Sequence, residues 1–292
     1  METIMVTGAS GHLGHLIINA LLKTLPASQI VAGARKTAKA SDLVARGIVV
    51  REVDYDHPET LDKAFAGIDT LLLISSNEVG KRVSQHKAVI EAAKRAGVKL
   101  LAYTSLLHAD TSVLGLTEEH RQTEAALRTS GIPYVLLRNG WYTENYLDSV
   151  PSALQHGIFL GSAKEGRIAS ATRQDYADAA AAVLLSKEKQ GGKIYELAGD
   201  ESYTLTDLAA EVSRQTGKEI MYKDVPEDDY RAVLINAGLP EPFAAMLAES
   251  DTGASQGALY DETHDLSRLT GRPTTSLKTA VAEFLSKQNI NK

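Results

Sequence analysis

Three glycines, Gly8, Gly11 and Gly14, stand in the stretch "GASGHLGH" directly after a short apolar run. Glycines at a strand-to-helix turn have separate jobs. The first permits a tight turn, the second lets a pyrophosphate approach the backbone, and the third lets helix and strand pack closely. The free N–H groups and the dipole at the start of the helix favour a phosphate. The loop Gly8–Gly14, with Ala9, Ser10, His12 and Leu13 between its glycines, is therefore the expected seat of a dinucleotide.

The next chemical signal lies at the end of the second predicted strand. A site for NAD would place Asp or Glu there, to accept from the ribose 2′-hydroxyl. This chain has "AGARKTAK", with Arg35, Lys36 and Lys39 and no acid in reach. A guanidinium suits a 2′-phosphate and can stack on adenine, so the expected cofactor is NADPH. Asp54, just past the third strand, either accepts from the adenine amino group or serves the turn. Ser75 and Ser76 end the fourth strand and are expected to line the cofactor trough. Tyr103, Thr104 and Ser105 end the fifth, where they are expected beside the nicotinamide.

Carbonyl reduction needs a placed proton donor. Short-chain dehydrogenases usually supply it as Tyr-x-x-x-Lys in the helix after the fifth strand, the lysine lowering a tyrosine pKa from its reference of ~10. Here that helix reads "EEHRQTEAAL": His120 and Glu124 stand at the same spacing, and no lysine is near. Such a pair is expected as an exposed helix contact worth a few tenths of a kcal/mol. After the sixth strand comes "NGWYTENYL". Trp141, Tyr142 and Tyr146 can stack on a flat ring, and the Asn145 amide can hydrogen-bond a ring oxygen or a carboxamide. The alternative is that the aromatics anchor a second domain and Asn145 caps the next helix. His12, His15 and the pair His108 and Asp110 do not make a ligand set, so no metal is expected. No Gly-x-Ser-x-Gly elbow is present, and a serine hydrolase is not indicated.

The elements that must position these residues follow from the pattern. Strand-like "TIMVTG", "QIVAGAR", "IVVREVD", "DTLLLISS", "VKLLAYTS" and "PYVLLRNG" alternate with helix-like segments. Among the latter are 12–25, ended by Pro26, and a long helix from Val79 to Ala96, ended by Gly97. "DHPETLDKAFAG" reads as a helix capped by Asp56. Alternation at this spacing predicts an α/β, Rossmann-like, doubly wound parallel sheet with a smaller, mainly helical C-terminal domain. The expected division is a nucleotide-binding domain over 1–150, with 172–216 returning to it, and a substrate-side domain of 151–171 and 217–292. The 292 residues are 43% hydrophobic and 23% charged, with a net charge of −6. An acidic chain does not recommend a nucleic-acid partner. No apolar run approaches the ~20 residues of a membrane span. Cysteine is absent, which excludes thiolate chemistry and disulfides. With no basic, apolar leader in "METIMVTGAS", the expected location is the cytoplasm.

Longer motifs sharpen the reading. The Gly-x-x-Gly-x-x-Gly loop, "LLLISSNEVGKR", "LLAYTSLLHADTS", "YVLLRNGWYTENYL" and "SDTGASQGALYD" resemble the NmrA-like atypical short-chain dehydrogenase/reductase family, in particular its NADPH-dependent quinone reductases, over essentially the whole chain. The resemblance implies NADPH contacts from Gly8 to Leu13, from Arg35, from Ile74, Ser75 and Ser76, and from Arg138, Asn139, Gly140, Trp141, Tyr142 and Thr143. It places Asn145 near both nicotinamide and quinone. The implied activity is direct, flavin-independent hydride transfer from NADPH to a quinone. The alternative within the family is a redox sensor that binds NADP(H) and acts through a protein partner. A homodimer is left open. Loss of Tyr-x-x-x-Lys is compatible with the enzyme. A simple ketone yields a strongly basic alkoxide, whereas a quinone yields an aromatic hydroquinone anion of roughly phenolic basicity, near ~10. Such a substrate needs orientation and electrostatics more than an acid.

Overall fold

The computed structural model describes residues 2–288. In chain order it runs β1 (Ile4–Val6), α1 (His12–Leu21), β2 (Ile30–Ala34), α2 (Ser41–Ala45), β3 (Val49–Glu52), α3 (Pro58–Phe65), β4 (Thr70–Leu73) and α4 (Arg82–Ala96). There follow β5 (Leu100–Leu106), α5 (Thr117–Ser130), β6 (Tyr134–Asn139), α6 (Thr143–Leu147), α7 (Val150–His156), β7 (Ile158–Gly161), α8 (Arg173–Leu184) and β8 (Ile194–Leu197). The remainder is α9 (Leu205–Thr216), β9 (Met221–Asp224), α10 (Glu227–Asn236), α11 (Glu241–Ala254), α12 (Asp265–Thr270) and α13 (Leu277–Lys287). Two compact units share these elements. The first comprises the chain to Asp110, Thr117–Asn139 and Arg173–Tyr195; the second comprises Thr111–Leu116, Gly140–Thr172 and the chain from Glu196.

The first unit is built on a seven-stranded sheet in the order β3-β2-β1-β4-β5-β6-β8, of which β8 begins in this unit. The pairs from β3 to β6 are parallel, with Ile4 opposite both Ile30 and Thr70. Strands β1, β2 and β4 are buried along their whole length, so both faces must be apolar and the sequence shows continuous hydrophobic runs. Edge strand β3 is exposed at Val49 and Glu52. On one face Leu61 and Phe65 of α3, Val89 and Ile90 of α4 and Leu127 of α5 pack with Met5, Leu71, Leu101 and Tyr103. On the other, α1 buries Leu13, Ile17, Ile18 and Leu21, and the alanine-rich α8 lies against it. The strand order reverses between β1 and β4. In open α/β sheets the crevice outside the carboxyl ends of the strands at such a point is where ligands bind.

The second unit holds a two-stranded parallel sheet, β7 with β9, in register from Ile158↔Met221 to Gly161↔Asp224. Helix α9 starts on a capping box, with the Thr204 hydroxyl accepting from the Asp207 N–H and the Asp207 carboxylate accepting in return. It packs on β7, β9 and α13. Those partners place α9 in the second unit, whereas the sequence returned 172–216 to the first. The segment that does return is Arg173–Tyr195, Thr111–Leu116 already belong to the second unit, and the crossing expected at 150 falls after Asn139. Two local expectations also change. Helix α3 begins at Pro58, so its cap is His57, not Asp56, and no side chain caps it. Helix α4 begins at Arg82 and not at Val79, because Gly80 takes φ +88°. Among the described residues no helix is long and apolar enough to cross a membrane.

Candidate functional site

Beyond β1 the chain turns at Gly8, whose φ of +60° a side chain rarely adopts. Gly14 answers a different need. A Cβ there would stand 2.4 Å from the Gly8 carbonyl oxygen, so only glycine lets α1 sit this tightly on the loop. The loop is tied to its neighbours: the Ala9 N–H donates to the Gly33 carbonyl at 3.0 Å, and the Gly11 N–H to that of Gly8 at 2.9 Å. Gly11 is the N-cap of α1, with no side-chain cap and no acidic residue in the first turn. The N-terminus of a ten-residue helix is thus presented without a carboxylate to satisfy it, which fits a phosphate.

That N-terminus opens into a groove of about 530 Å³ within the first unit, a size usual for small-molecule and cofactor sites. Eleven of the residues singled out in the sequence line it: Gly8, Ser10, Gly11, His12, Leu13, Gly14, Arg35, Asp54, Ile74, Ser75 and Ser76. They come from the carboxyl ends of β1 to β4. The ends of β1 and β4 are locked together by Thr7, whose hydroxyl donates to Leu72 O at 3.1 Å and accepts from the Ile74 N–H at 3.0 Å. The Tyr55 hydroxyl adds a bond to Ile74 O at 3.0 Å. The Ser75 N–H donates to Thr104 Oγ1 at 2.9 Å and the Ser76 N–H to His86 Nε2 at 2.9 Å. Asp54 lines the groove and also serves its turn, accepting from the Asp56 N–H at 3.1 Å. The glycine cradle, the uncapped helix and the Arg35 cation together match the pyrophosphate and 2′-phosphate of NADP(H).

Sequence reasoning missed two charged groups on this groove, Glu78 and Arg173. Arg173 stands at the start of α8, far along the chain. Glu78 overturns the expectation that no acid is in reach of Arg35: its Oε1 lies 2.5 Å from Arg35 NH1. Only the strand order, which puts β2 and β4 on either side of β1, brings the two loops together.

Other expected residues lie elsewhere. Ala9 is fully buried behind the loop. Tyr103 is also fully buried and does not line the groove. Its hydroxyl meets His120 Nδ1 at 2.7 Å, and its ring stands edge-on to His86 with centroids 5.3 Å apart. Ser105 donates to Glu124 Oε1 at 2.6 Å. The Arg138 side chain is buried on Glu124, Nε at 2.9 Å and NH2 at 2.7 Å, and reaches Asp110 at 2.8 Å. Arg128 completes the cluster, 2.9 Å from Glu124. His120 and Glu124 are therefore not an exposed helix pair. They lie on the sheet-facing side of α5, each with its own buried partner. Burial holds the His120 ring well below its usual pKa, and the ring is neutral. Neither residue stands where a proton donor would meet the groove.

The chain leaves the first unit after Asn139, itself buried on β6. Gly140, Trp141, Tyr142 and Thr143 lie in the second unit. The Gly140 N–H donates to Leu197 O at 2.7 Å, and the Thr143 N–H to Ala171 O at 2.9 Å. The Thr143 hydroxyl meets Ser170 Oγ at 2.8 Å. Trp141 and Tyr146 pack their rings 6.3 Å apart inside this unit, and the Tyr146 hydroxyl donates to Asp251 Oδ1 at 2.9 Å. Both rings are buried. Tyr142 and Asn145 are half-buried, and Asn145 lies within α6, so it is not the cap of α7, which is Ser149. Asp251 also accepts from the Ser162 N–H at 3.0 Å, and burial pushes its carboxyl up to about 6. Among the described residues no group of three or more His, Cys, Asp or Glu is placed to hold a metal ion.

A reversing parallel sheet, a glycine-rich loop at its switch point and an arginine beyond β2 define a nucleotide-binding protein of the Rossmann-like class. A model of the NmrA-like family matches residues 1–285, and the chain belongs to that family. It is 56% identical over 286 residues to Quinone oxidoreductase 2 of Escherichia coli (strain K12), covering 98% of this chain and 100% of that one. The crystal structure of an NADPH-dependent quinone oxidoreductase from Escherichia coli, complexed with NADPH, superposes with a TM-score of 0.94 at 56% identity, over 97% of this chain and 100% of that chain. A Citrobacter sp. triphenylmethane reductase complexed with NADP(H) superposes with a TM-score of 0.93 at 40% identity, over 97% of this chain and 100% of that chain.

Proposed function

We propose that this chain is an NADPH-dependent quinone oxidoreductase working by direct hydride transfer without flavin. The observation that carries the cofactor reading is the single groove that gathers the Gly8–Gly14 loop, the uncapped start of α1 and Arg35. The likeness to quinone-reducing relatives carries the substrate class. When bound, the nicotinamide supplies the hydride. The residues of this chain supply the rest. The loop and the first turn of α1 hold the pyrophosphate through backbone N–H groups. Arg35 holds the 2′-phosphate. Ile74, Ser75 and Ser76 form the trough along which the dinucleotide lies, with Asp54 toward the adenine. Asn145 is the residue to which we assign orientation of the quinone or the carboxamide, through its amide. His120 and Glu124 are committed to Tyr103 and Arg138, and a quinone does not require the strong acid that a ketone would. The first unit is the NADP-binding part and the second the substrate-side part.

Steady-state NADPH oxidation with and without a soluble quinone, on protein shown free of flavin, tests this reading. Quinone-dependent oxidation supports it. Tight NADPH binding with no oxidation by any quinone would assign the chain to the redox sensors instead.

A further inference from the structure

The acid that faces Arg35 is held in a built frame. Glu78 sits in the turn between β4 and α4. Its N–H donates to Ser76 Oγ at 3.1 Å, and its carbonyl accepts from the Lys81 N–H at 3.1 Å. The turn is pinned on both sides. The Ser76 carbonyl accepts from Arg82 Nε at 2.8 Å, and the Gly80 N–H donates to Glu119 Oε1 at 3.0 Å. The Ser76 N–H donates to His86, whose ring burial pushes down to about 3, so Nε2 stays an acceptor. The frame delivers the Glu78 carboxylate between two cations: Oε1 is 2.5 Å from Arg35 NH1 and Oε2 is 3.4 Å from Lys81 Nζ. Lys81 in turn lies 4.0 Å from Asp56.

We propose that Glu78 competes with the cofactor's 2′-phosphate for Arg35 and so sets how strongly the groove prefers NADPH to NADH. The proposal deepens the function proposed above and rests on it. The two cofactors meet this carboxylate in opposite ways. A 2′-phosphate carries nearly two negative charges; it must take Arg35 from Glu78 and then lie beside a like charge. Lys81 remains to neutralise Glu78 when Arg35 leaves. A 2′-hydroxyl offers a donor, which a carboxylate in this position accepts, as the acid after the second strand does in NAD sites. Here the acid comes from the loop after β4 and shares the position with the arginine. Its presence narrows a preference that Arg35 alone would make steep.

Neutralising the acid should therefore tighten one cofactor and not the other. Like charges a few Å apart near a protein surface interact by roughly a factor of ten in affinity. Fluorescence titration of NADPH and NADH into wild type, Glu78→Gln, Glu78→Ala and Arg35→Ala should show both Glu78 variants binding NADPH about tenfold more tightly and NADH no more tightly. The gain should shrink at high salt, since the groups are partly exposed. Agreement of the Gln and Ala variants separates charge from shape. If Arg35→Ala loses NADPH affinity but the Glu78 variants bind both cofactors as wild type does, the competition is refuted while the cofactor site stands. If the Glu78 variants bind NADPH more weakly, the carboxylate positions Arg35 and does not oppose the phosphate, which also refutes the proposal. If Arg35→Ala binds NADPH unchanged, the assignment of the 2′-phosphate to Arg35 falls, and the proposal with it.

Discussion

Replacing Arg35 with Ala probes the cofactor reading at one atom group. Hydrogen bonds to charged groups are worth about 1.5–3 kcal/mol. The guanidinium does not start free, however: it is 2.5 Å from Glu78 Oε1 and its side chain is 57% exposed. Surrendering an exposed ion pair costs up to ~1 kcal/mol, and the exposure keeps the phosphate contact at the modest end. The net loss for NADPH should be about 1–2 kcal/mol, roughly 5–30-fold in dissociation constant. NADH, with no phosphate to lose, should change by less than about twofold. Titration of both cofactors at one fixed ionic strength reads the difference. Equal losses for NADPH and NADH would refute the assignment, because they would show that Arg35 shapes the groove without reading the 2′ position.

Glu124→Ala should destabilise the fold by about 3–5 kcal/mol, since it leaves the buried Arg138 guanidinium without its bidentate carboxylate; urea unfolding measures this, and a loss under 1 kcal/mol would contradict the buried-pair reading. Asp251→Asn should change how stability depends on pH. The Asp251 carboxyl is raised from 3.8 to about 6 by burial, so the folded state binds its proton more tightly than the unfolded state. The wild type therefore loses stability as pH rises through the window from about 4 to 6, by about 3 kcal/mol in total, and the variant does not. Parallel stability curves for the two proteins would refute the shift. Asn145→Ala should lower quinone turnover by ~10²–10³ with little change in NADPH affinity, on the scale of a deleted oriented donor; unchanged turnover would remove Asn145 from the reaction.

Much of this molecule can be read from one sequence because a parallel sheet writes its own pattern. Strands buried on both faces are continuous apolar runs, so β1, β2 and β4 stand out, and the glycine loop is local to β1 and α1. Arg35 was readable for the same reason. Glu78 was not, because its partner lies 43 positions away and only the strand order brings the two loops together. His120 and Glu124 misled because their spacing is the same on either face of a helix, and the inward face of α5 carries polar residues that pair with β5 and β6. Strand β7 pairs with β9, far along the chain, and gains its meaning only from that pairing. Nothing local marks Asp251, which the fold brings to the Tyr146 hydroxyl and the Ser162 N–H.

Single-turnover mixing of the flavin-free protein, loaded with NADPH, against a soluble quinone tests the central claim most directly. A quinone-dependent loss of nicotinamide absorbance, slowed when the transferred hydrogen is deuterium, is the predicted result. Bound NADPH that survives every quinone offered, or oxidation that appears only when flavin is added, would contradict direct hydride transfer.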